Sequence, residues 1–247
     1  MSTRNQDLEF QDNSERSYSY DFDTIIREYL LERFVAEINP EGNSLELGAY
    51  RGDMTQQLLE FVNEITVVEG SDLLASELRA RFSSRVHVIA SLFEKYSPNT
   101  LFDNVFLIHT LEHLDDPIEI LSRISKWLNP SGRLFVAVPN ANALSRQIAV
   151  EMGLIESHAA VTPGEYAHGH RRTYSFDTLL NDLRKADLEV IDFGSVIVKP
   201  LANFQFDSAL DLGIVDRAYV SACDRLAKIH PDLGSSIFAI CEPKHRS

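Results

Sequence analysis

From Tyr18 onward apolar side chains recur at helical spacing, at Ile25, Ile26, Tyr29, Leu30, Phe34 and Ile38, and predict an amphipathic helix that Asn39-Pro40 stops. Short β-rich runs then alternate with helical stretches. SLELG (44–48), ITVVEG (65–70), VHVIAS (86–91), FDNVFLIHT (102–110) and GRLFVAVPN (132–140) read as strands, the last following the turn NPSG. Helices are predicted over 54–62, 73–82 and 117–128 between them. This alternation predicts an α/β fold, a doubly wound and mostly parallel sheet with helices on both faces.

The second half is less regular. A helix-like stretch (143–152) and a polar, His-rich loop fill 141–174, SFDTLLNDLRKADLEV carries a further helix, and LEVIDFGSVIV (188–198) and SSIFAICEP (235–243) bring the sheet to seven strands. A mostly helical insert, about 203–230, precedes the last strand. No second core and no internal repeat is visible, so residues 18–247 read as one domain with two inserts, 141–174 and 203–230. Inserts on a rigid sheet are where substrate specificity usually sits. Residues 1–17 lack hydrophobic periodicity and read as a flexible arm.

Composition narrows the function classes. With 44% hydrophobic and 24% charged residues the 247-residue chain is globular in type. Its 37 acidic against 23 basic residues give a net charge of −14, which disfavours nucleic acid and polybasic membrane contact. The polar N-terminus and the lack of any run of about 18 apolar residues argue against a signal peptide and a membrane span. Cys223 and Cys241 form no CxxC pair, so neither a zinc site nor a disulfide framework is expected, and a cytoplasmic location fits.

The chemistry concentrates in LELGAYRGDMT (45–55), a glycine-containing turn between a strand and a helix. Gly48 and Gly52 let backbone approach a ligand, and the helix that follows offers free N–H groups to a carboxylate. Glu69, twenty-three residues after Glu46, ends the second strand, where a carboxylate can accept two ribose hydroxyls. A dinucleotide fingerprint would need G-x-G-x-x-G. Here the pattern is E-x-G-x-x-x-G, and Glu46 would repel a diphosphate while suiting a cationic amino group. The pocket therefore suits an amino-acid nucleoside better than NAD.

E-x-G-x-x-x-G, an acid after the second strand and IHTLEHLDDP after the fourth resemble the class I S-adenosylmethionine-dependent methyltransferases. LEHLDDP followed by LNPSGRLFVAVPN resembles their ubiquinone-biosynthesis-type, small-molecule branch, over roughly residues 20–140. The resemblance implies a Rossmann-like methyltransferase fold with S-adenosylmethionine as cofactor and S-adenosylhomocysteine as product. It implies that Glu46, Gly48, Ala49 and Gly52 hold the methionine part, that Glu69 holds the ribose, and that Gly70 and Ser71 line the adenosine edge. Ser91, Leu92 and Phe93 would flank adenine, His109 and Thr110 would pass beneath the sulfonium, and Leu111 to His113 would begin the loop toward the substrate. Tyr18 and Tyr20 would close over the cofactor.

Methyl transfer requires alignment of the acceptor, exclusion of water and, for a hydroxyl acceptor, a base. Histidine suits that role near neutral pH. His109, His113, His168 and His170 are the candidates; each also admits a packing or hydrogen-bonding role. In EYAHGHRRTY, Arg171 and Arg172 could fork onto an anionic acceptor or pair with surface acids such as Asp177. Tyr174 and Phe204 are assigned to the acceptor side with them, and Phe206 either walls the pocket or packs under the insert. His168, His170 and Glu165 have a spacing that admits a metal, but no metal ligand is assigned. Asp115-Asp116-Pro117 reads as a helix cap. The expected function is methyl transfer to an oxygen, or a nitrogen, of a small anionic metabolite or sugar, the alternative being a cofactor-binding module without turnover. No nucleic-acid or membrane partner is expected.

Overall fold

The computed structural model describes residues 21–244. The arm at 1–17 and both Tyr18 and Tyr20 lie outside the described residues. Helix α1 (Asp21–Phe34) leads into β1 (Ser44–Leu47), α2 (Asp53–Leu58), β2 (Ile65–Glu69), α3 (Asp72–Arg81), β3 (Val86–Ala90) and β4 (Phe102–Ile108). After a single 3₁₀ turn (Leu111–His113) come α4 (Pro117–Trp127), β5 (Leu128–Pro139), α5 (Leu144–Glu151), α6 (Pro163–Ala167), α7 (Phe176–Lys185) and β6 (Leu188–Val196). The insert α8 (Asn203–Asp211) and α9 (Arg217–Ile229) precedes β7 (Ser236–Pro243).

The seven strands form one sheet in the order β3-β2-β1-β4-β5-β7-β6. All neighbours are parallel except β7, which runs antiparallel to both β5 and β6. Central β1 is buried at all four residues, as a strand covered on both faces must be. One face packs Phe34, Phe106, Phe135 and Phe238 with Phe22 of α1 and Phe206 of α8; Phe106 stacks on Phe135 at 4.9 Å. The other face packs Leu45, Val105, Leu134 and Val136 under α4 and α7. The sheet order reverses beside β1, so the carboxyl ends of β1, β2 and β4 open a crevice, which is where sheets of this kind bind ligands.

Local chemistry sets the helix starts. The Ser71 hydroxyl accepts the N–H of Leu74 at 3.2 Å to begin α3. Asp116 accepts the N–H of Glu119 at 2.9 Å with Pro117 in the first turn of α4, the cap that the Asp-Asp-Pro sequence predicts. Other boundaries differ from the pattern. Helix α1 ends at Phe34, before Asn39-Pro40, and α2 ends at Leu58 rather than Val62. Strand β5 begins at Leu128, which pairs with Phe102 before an irregularity that absorbs the NPSG segment. The polar stretch after Thr162 opens with a helix rather than a loop, because Thr162 and Glu165 satisfy each other's backbone N–H in a reciprocal cap.

Candidate active site

Gly48 leaves β1 in the left-handed region at φ 80°, its N–H donating to the Val68 carbonyl at 3.0 Å. A Cβ there would stand 2.8 Å from the Thr110 hydroxyl and 3.5 Å from the Phe93 ring. Three residues nominated for the cofactor from separate parts of the chain therefore meet at one point. Tyr50 (φ 51°) and His109 (φ 50°) also hold left-handed backbone although both carry side chains. Such strain costs on the order of 1–3 kcal/mol per residue and collects where geometry serves a ligand.

The turn is organised by carboxylates. Glu69, at the end of β2, accepts the backbone N–H of Ser71 at 3.1 Å and of Tyr50 at 3.2 Å, and the amides of Gly70 and Ala49 also favour its charged form. Burial nevertheless pushes its pKa above the ordinary carboxylate value. Ser91 donates its N–H to the Glu69 carbonyl at 3.0 Å, and Leu92 turns the chain by accepting the N–H of Tyr96. Glu46 is buried and accepts the Thr55 hydroxyl at 2.6 Å. Loss of hydration raises its pKa to about 7, against the pull of Thr55 and of the positive charge of Arg27.

Gly52 continues the turn at φ 85°, and a Cβ there would meet the Phe82 ring at 2.4 Å and Leu78 at 2.8 Å. Gly52→Ala is expected to lower folding stability by about 1–3 kcal/mol, because it adds both strain and a clash. Thermal melting of the ligand-free protein checks this; an unchanged midpoint would show that Phe82 gives way freely.

Arg27 was not anticipated. It lies on α1, three residues after Thr24, whose carbonyl accepts the Gln57 side chain of α2 at 3.4 Å. Its charge acts on both Glu46 and His109, and the half-buried guanidinium makes no hydrogen bond or salt bridge among the described residues. A polar position on an amphipathic helix ordinarily reads as solvent-facing, so only the packing of α1 over the crevice reveals it.

The four histidines separate. His109 is half-buried, its ring Nε2 3.0 Å from the Ser236 hydroxyl and its N–H donating to Ala137, and desolvation pulls its pKa down to about 3. Such an imidazole stays neutral and is too weak a base to draw a proton from a hydroxyl. His113 and His170 meet edge to face at 4.6 Å. His113 Nε2 lies 4.0 Å from a Glu112 carboxylate oxygen. His168 caps the end of α6.

Glu112 is a second unanticipated residue. It is 2% exposed, its Oε2 has no hydrogen-bond partner among the described residues, and burial raises its pKa to about 8. With Asn140, Arg146, Glu165, His170 and Arg172 it lines a narrow cavity of about 10 Å³. The sequence hint was a carboxylate between Leu111 and Leu114, both buried.

Several acceptor-side assignments take other roles. Tyr174 is a core residue, 2% exposed, with its hydroxyl 3.4 Å from Asp182. Arg171 pairs with Asp115 at 3.3 Å and Arg172 donates to the Asp115 carbonyl at 3.0 Å, so both arginines fasten the 165–174 stretch to the turn after β4. Asp115, and not Asp177, is the acid involved. Glu165 is bound by Arg146 at 2.6 Å. Phe204 is exposed, whereas Phe206 is core and packs 4.6 Å from Phe22.

Comparison with known proteins agrees with this geometry. Residues 19–192 match the family model described as a methyltransferase domain. Over 171 residues the chain is 26% identical to a ubiquinone biosynthesis O-methyltransferase of Idiomarina loihiensis, covering 65% of this chain and 67% of that one. It is 24% identical to the mitochondrial ubiquinone biosynthesis O-methyltransferase of Schizosaccharomyces pombe, covering 68% and 65%. The chain thus matches about two thirds of the length of these relatives. The N-methyltransferase NodS of Bradyrhizobium japonicum, solved with S-adenosyl-L-homocysteine, shares the fold with a TM-score of 0.62 and 14% identity over 98% of this chain and all of that one. The chain belongs to the methyltransferase-domain family and is an S-adenosylmethionine-dependent methyltransferase of the class I, Rossmann-like fold.

Proposed function

We propose that the chain methylates an oxygen of a small acceptor, an anionic metabolite or a sugar, using the His113 and His170 pair, beside the buried Glu112 carboxyl, to receive the acceptor's proton. The observation that supports this reading is the buried Glu112 carboxyl oxygen just after β4, without a hydrogen-bond partner among the described residues and beside two imidazoles in contact. An unpaired buried polar group is costly, so its retention argues for a ligand-directed role. The O-methyltransferase names of the curated relatives point the same way.

S-adenosylmethionine supplies an electrophilic methyl group when bound. In this reading Glu69 holds the ribose hydroxyls, with Gly70, Ser71, Ser91, Leu92 and Phe93 around the nucleoside. Gly48, Ala49 and Gly52 shape the backbone along the amino-acid part, Glu46 faces its ammonium and Arg27 its carboxylate. Thr110 and neutral His109 pack beneath the reacting centre without charge. The two inserts exclude water, and His170 or His113 takes the proton as the acceptor oxygen develops its new bond. Cys223 and Cys241 are buried free thiols, as suits a cytoplasmic protein, and no described helix is long and apolar enough to cross a membrane.

His113→Ala and His170→Ala are expected to leave S-adenosylhomocysteine affinity within about twofold and to lower turnover by about 10²–10⁴-fold. Transfer of a labelled methyl group to a panel of hydroxylated anions and sugars, with calorimetry alongside, measures both. Full turnover in both variants would remove the pair from catalysis, and preferential methylation of amines would overturn the oxygen assignment.

One observation favours a second reading. Glu112, His113 and His170 each bring a ligand-type atom within 4.8 Å of the others, close enough to share a divalent cation. In that case EDTA would abolish turnover and a divalent metal would restore it.

A further inference from the structure

Lys199 belongs to neither the sheet nor the site described above, yet it is 2% exposed. Its ammonium donates to the Leu201 carbonyl at 2.7 Å and lies 5.4 Å from the ring centre of Phe22 and 5.8 Å from that of Phe206. Burial opposes its charge, while Asp23, Asp207 and Cys223 favour it. A leucine or methionine would fill this space without the desolvation cost, so packing alone does not call for an ammonium.

The surroundings say what the ammonium does. Phe22 opens α1 and Phe206 lies on α8, so the cation sits where the two helices meet. The same junction is tied by the Phe22 N–H donating to Asp207 at 2.8 Å and by Asn203 donating to Asp23 at 2.6 Å. Two residues before Lys199 the backbone is left-handed at Ile197, a fully buried β-branched residue at φ 52°. That conformation is costly for such a residue and persists only where its surroundings enforce it. Further along α1, Tyr29 meets Ser221 at 2.7 Å and Arg33 binds Asp224 at 2.6 Å, so the insert grips α1 along its length. Between these ties, α1 carries Arg27, whose charge reaches Glu46 and His109.

We propose that Lys199 is a positioning residue for the cofactor site: by holding the first turn of α1 against α8 it sets Arg27 at the crevice, and so sets affinity for the amino-acid part of the cofactor. The insert before the last strand then serves the cofactor as well as the acceptor. The inference rests on the assignment of Arg27 to the cofactor carboxylate.

Two probes separate this role from a general effect on folding. S-adenosylhomocysteine carries the amino-acid chain, and 5′-methylthioadenosine keeps the adenine and ribose without it. In the 247-residue chain, Lys199→Met is expected to weaken S-adenosylhomocysteine about tenfold and to leave 5′-methylthioadenosine within about twofold. Arg27→Gln should show the same selectivity, the double variant should bind no more weakly than Arg27→Gln alone, and Lys199→Arg should recover most of the affinity. Asp207→Asn leaves the lysine in place, withdraws one of the acids that favour its charge and weakens the acceptor of the Phe22 N–H, and should reproduce the selective loss if Lys199→Met does not fold. Equal loss of both probes, or additive losses in the double variant, would overturn the proposal. Undiminished S-adenosylhomocysteine binding by Arg27→Gln would overturn the assignment of Arg27 and the inference with it, whereas a selective loss in Arg27→Gln but not in Lys199→Met or Asp207→Asn would overturn the inference alone.

Discussion

Glu69→Ala is expected to weaken S-adenosylhomocysteine binding by at least about a hundredfold. Hydrogen bonds from ribose hydroxyls to a carboxylate contribute roughly 1.5–3 kcal/mol each, and two of them at the lower figure already correspond to that factor. The carboxylate also accepts the backbone N–H groups of Tyr50 and Ser71, so its removal frees the turn around a residue held at φ 51°. Loss of that support adds a cost of reordering the turn on binding. Glu69→Gln retains one acceptor oxygen and should lose less, about tenfold. Calorimetric titration distinguishes the cases. An Ala variant that binds within twofold of the parent would place the ribose elsewhere in the crevice.

The place of Glu69 was legible in the sequence: a carboxylate at the end of the second strand, after a glycine turn at the end of the first. Gly48 and Gly52 were legible for the same reason, since a strand-to-helix turn needs left-handed backbone and both adopt it. The strands were readable because buried parallel strands are continuous apolar runs, as β4 is from Val105 to Ile108. The start of β5 was hidden because Asn129 to Gly132 looks like a turn, whereas Leu128 already pairs with Phe102.

The acceptor side was less legible because its roles depend on which polar groups find one another. His113 and His170 are far apart in the chain, and nothing in their local sequence announces a contact of 4.6 Å. Much of the dense charge of EYAHGHRRTY is spent on anchoring: Arg171 and Arg172 hold Asp115, and Glu165 holds Arg146. Arg27 and Lys199 were invisible for a related reason. Each sits in a local pattern typical of a solvated residue, and only the docking of α1 against the sheet face and the insert shows where its charge acts.

Glu46→Gln is expected to make the ligand-free protein more stable at pH 8 and a poorer binder of its cofactor. Burial raises the Glu46 pKa from an ordinary 4.5 to about 7, so between these values folding takes up a proton. The stabilising contribution of the protonated carboxyl is complete below pH 4.5 and is lost as pH rises through 7. Above that, holding the buried charge costs roughly 3 kcal/mol, the free energy that separates the folded and unfolded pKa values. Glutamine carries no charge and can still accept the Thr55 hydroxyl, so it escapes this cost. The variant should therefore melt about 6–12 °C above the parent at pH 8, with the difference vanishing toward pH 4.5. Its S-adenosylhomocysteine affinity at pH 8 should fall about tenfold or more, because the ligand's ammonium loses an anionic partner. The parent recovers its deficit on binding, when that ammonium offsets the buried charge; the variant cannot. A Glu46→Gln protein that melts below the parent at pH 8 would mean that Thr55 and Arg27 already compensate the carboxylate without the cofactor. A parallel rise in both stability and affinity would remove Glu46 from ammonium recognition altogether.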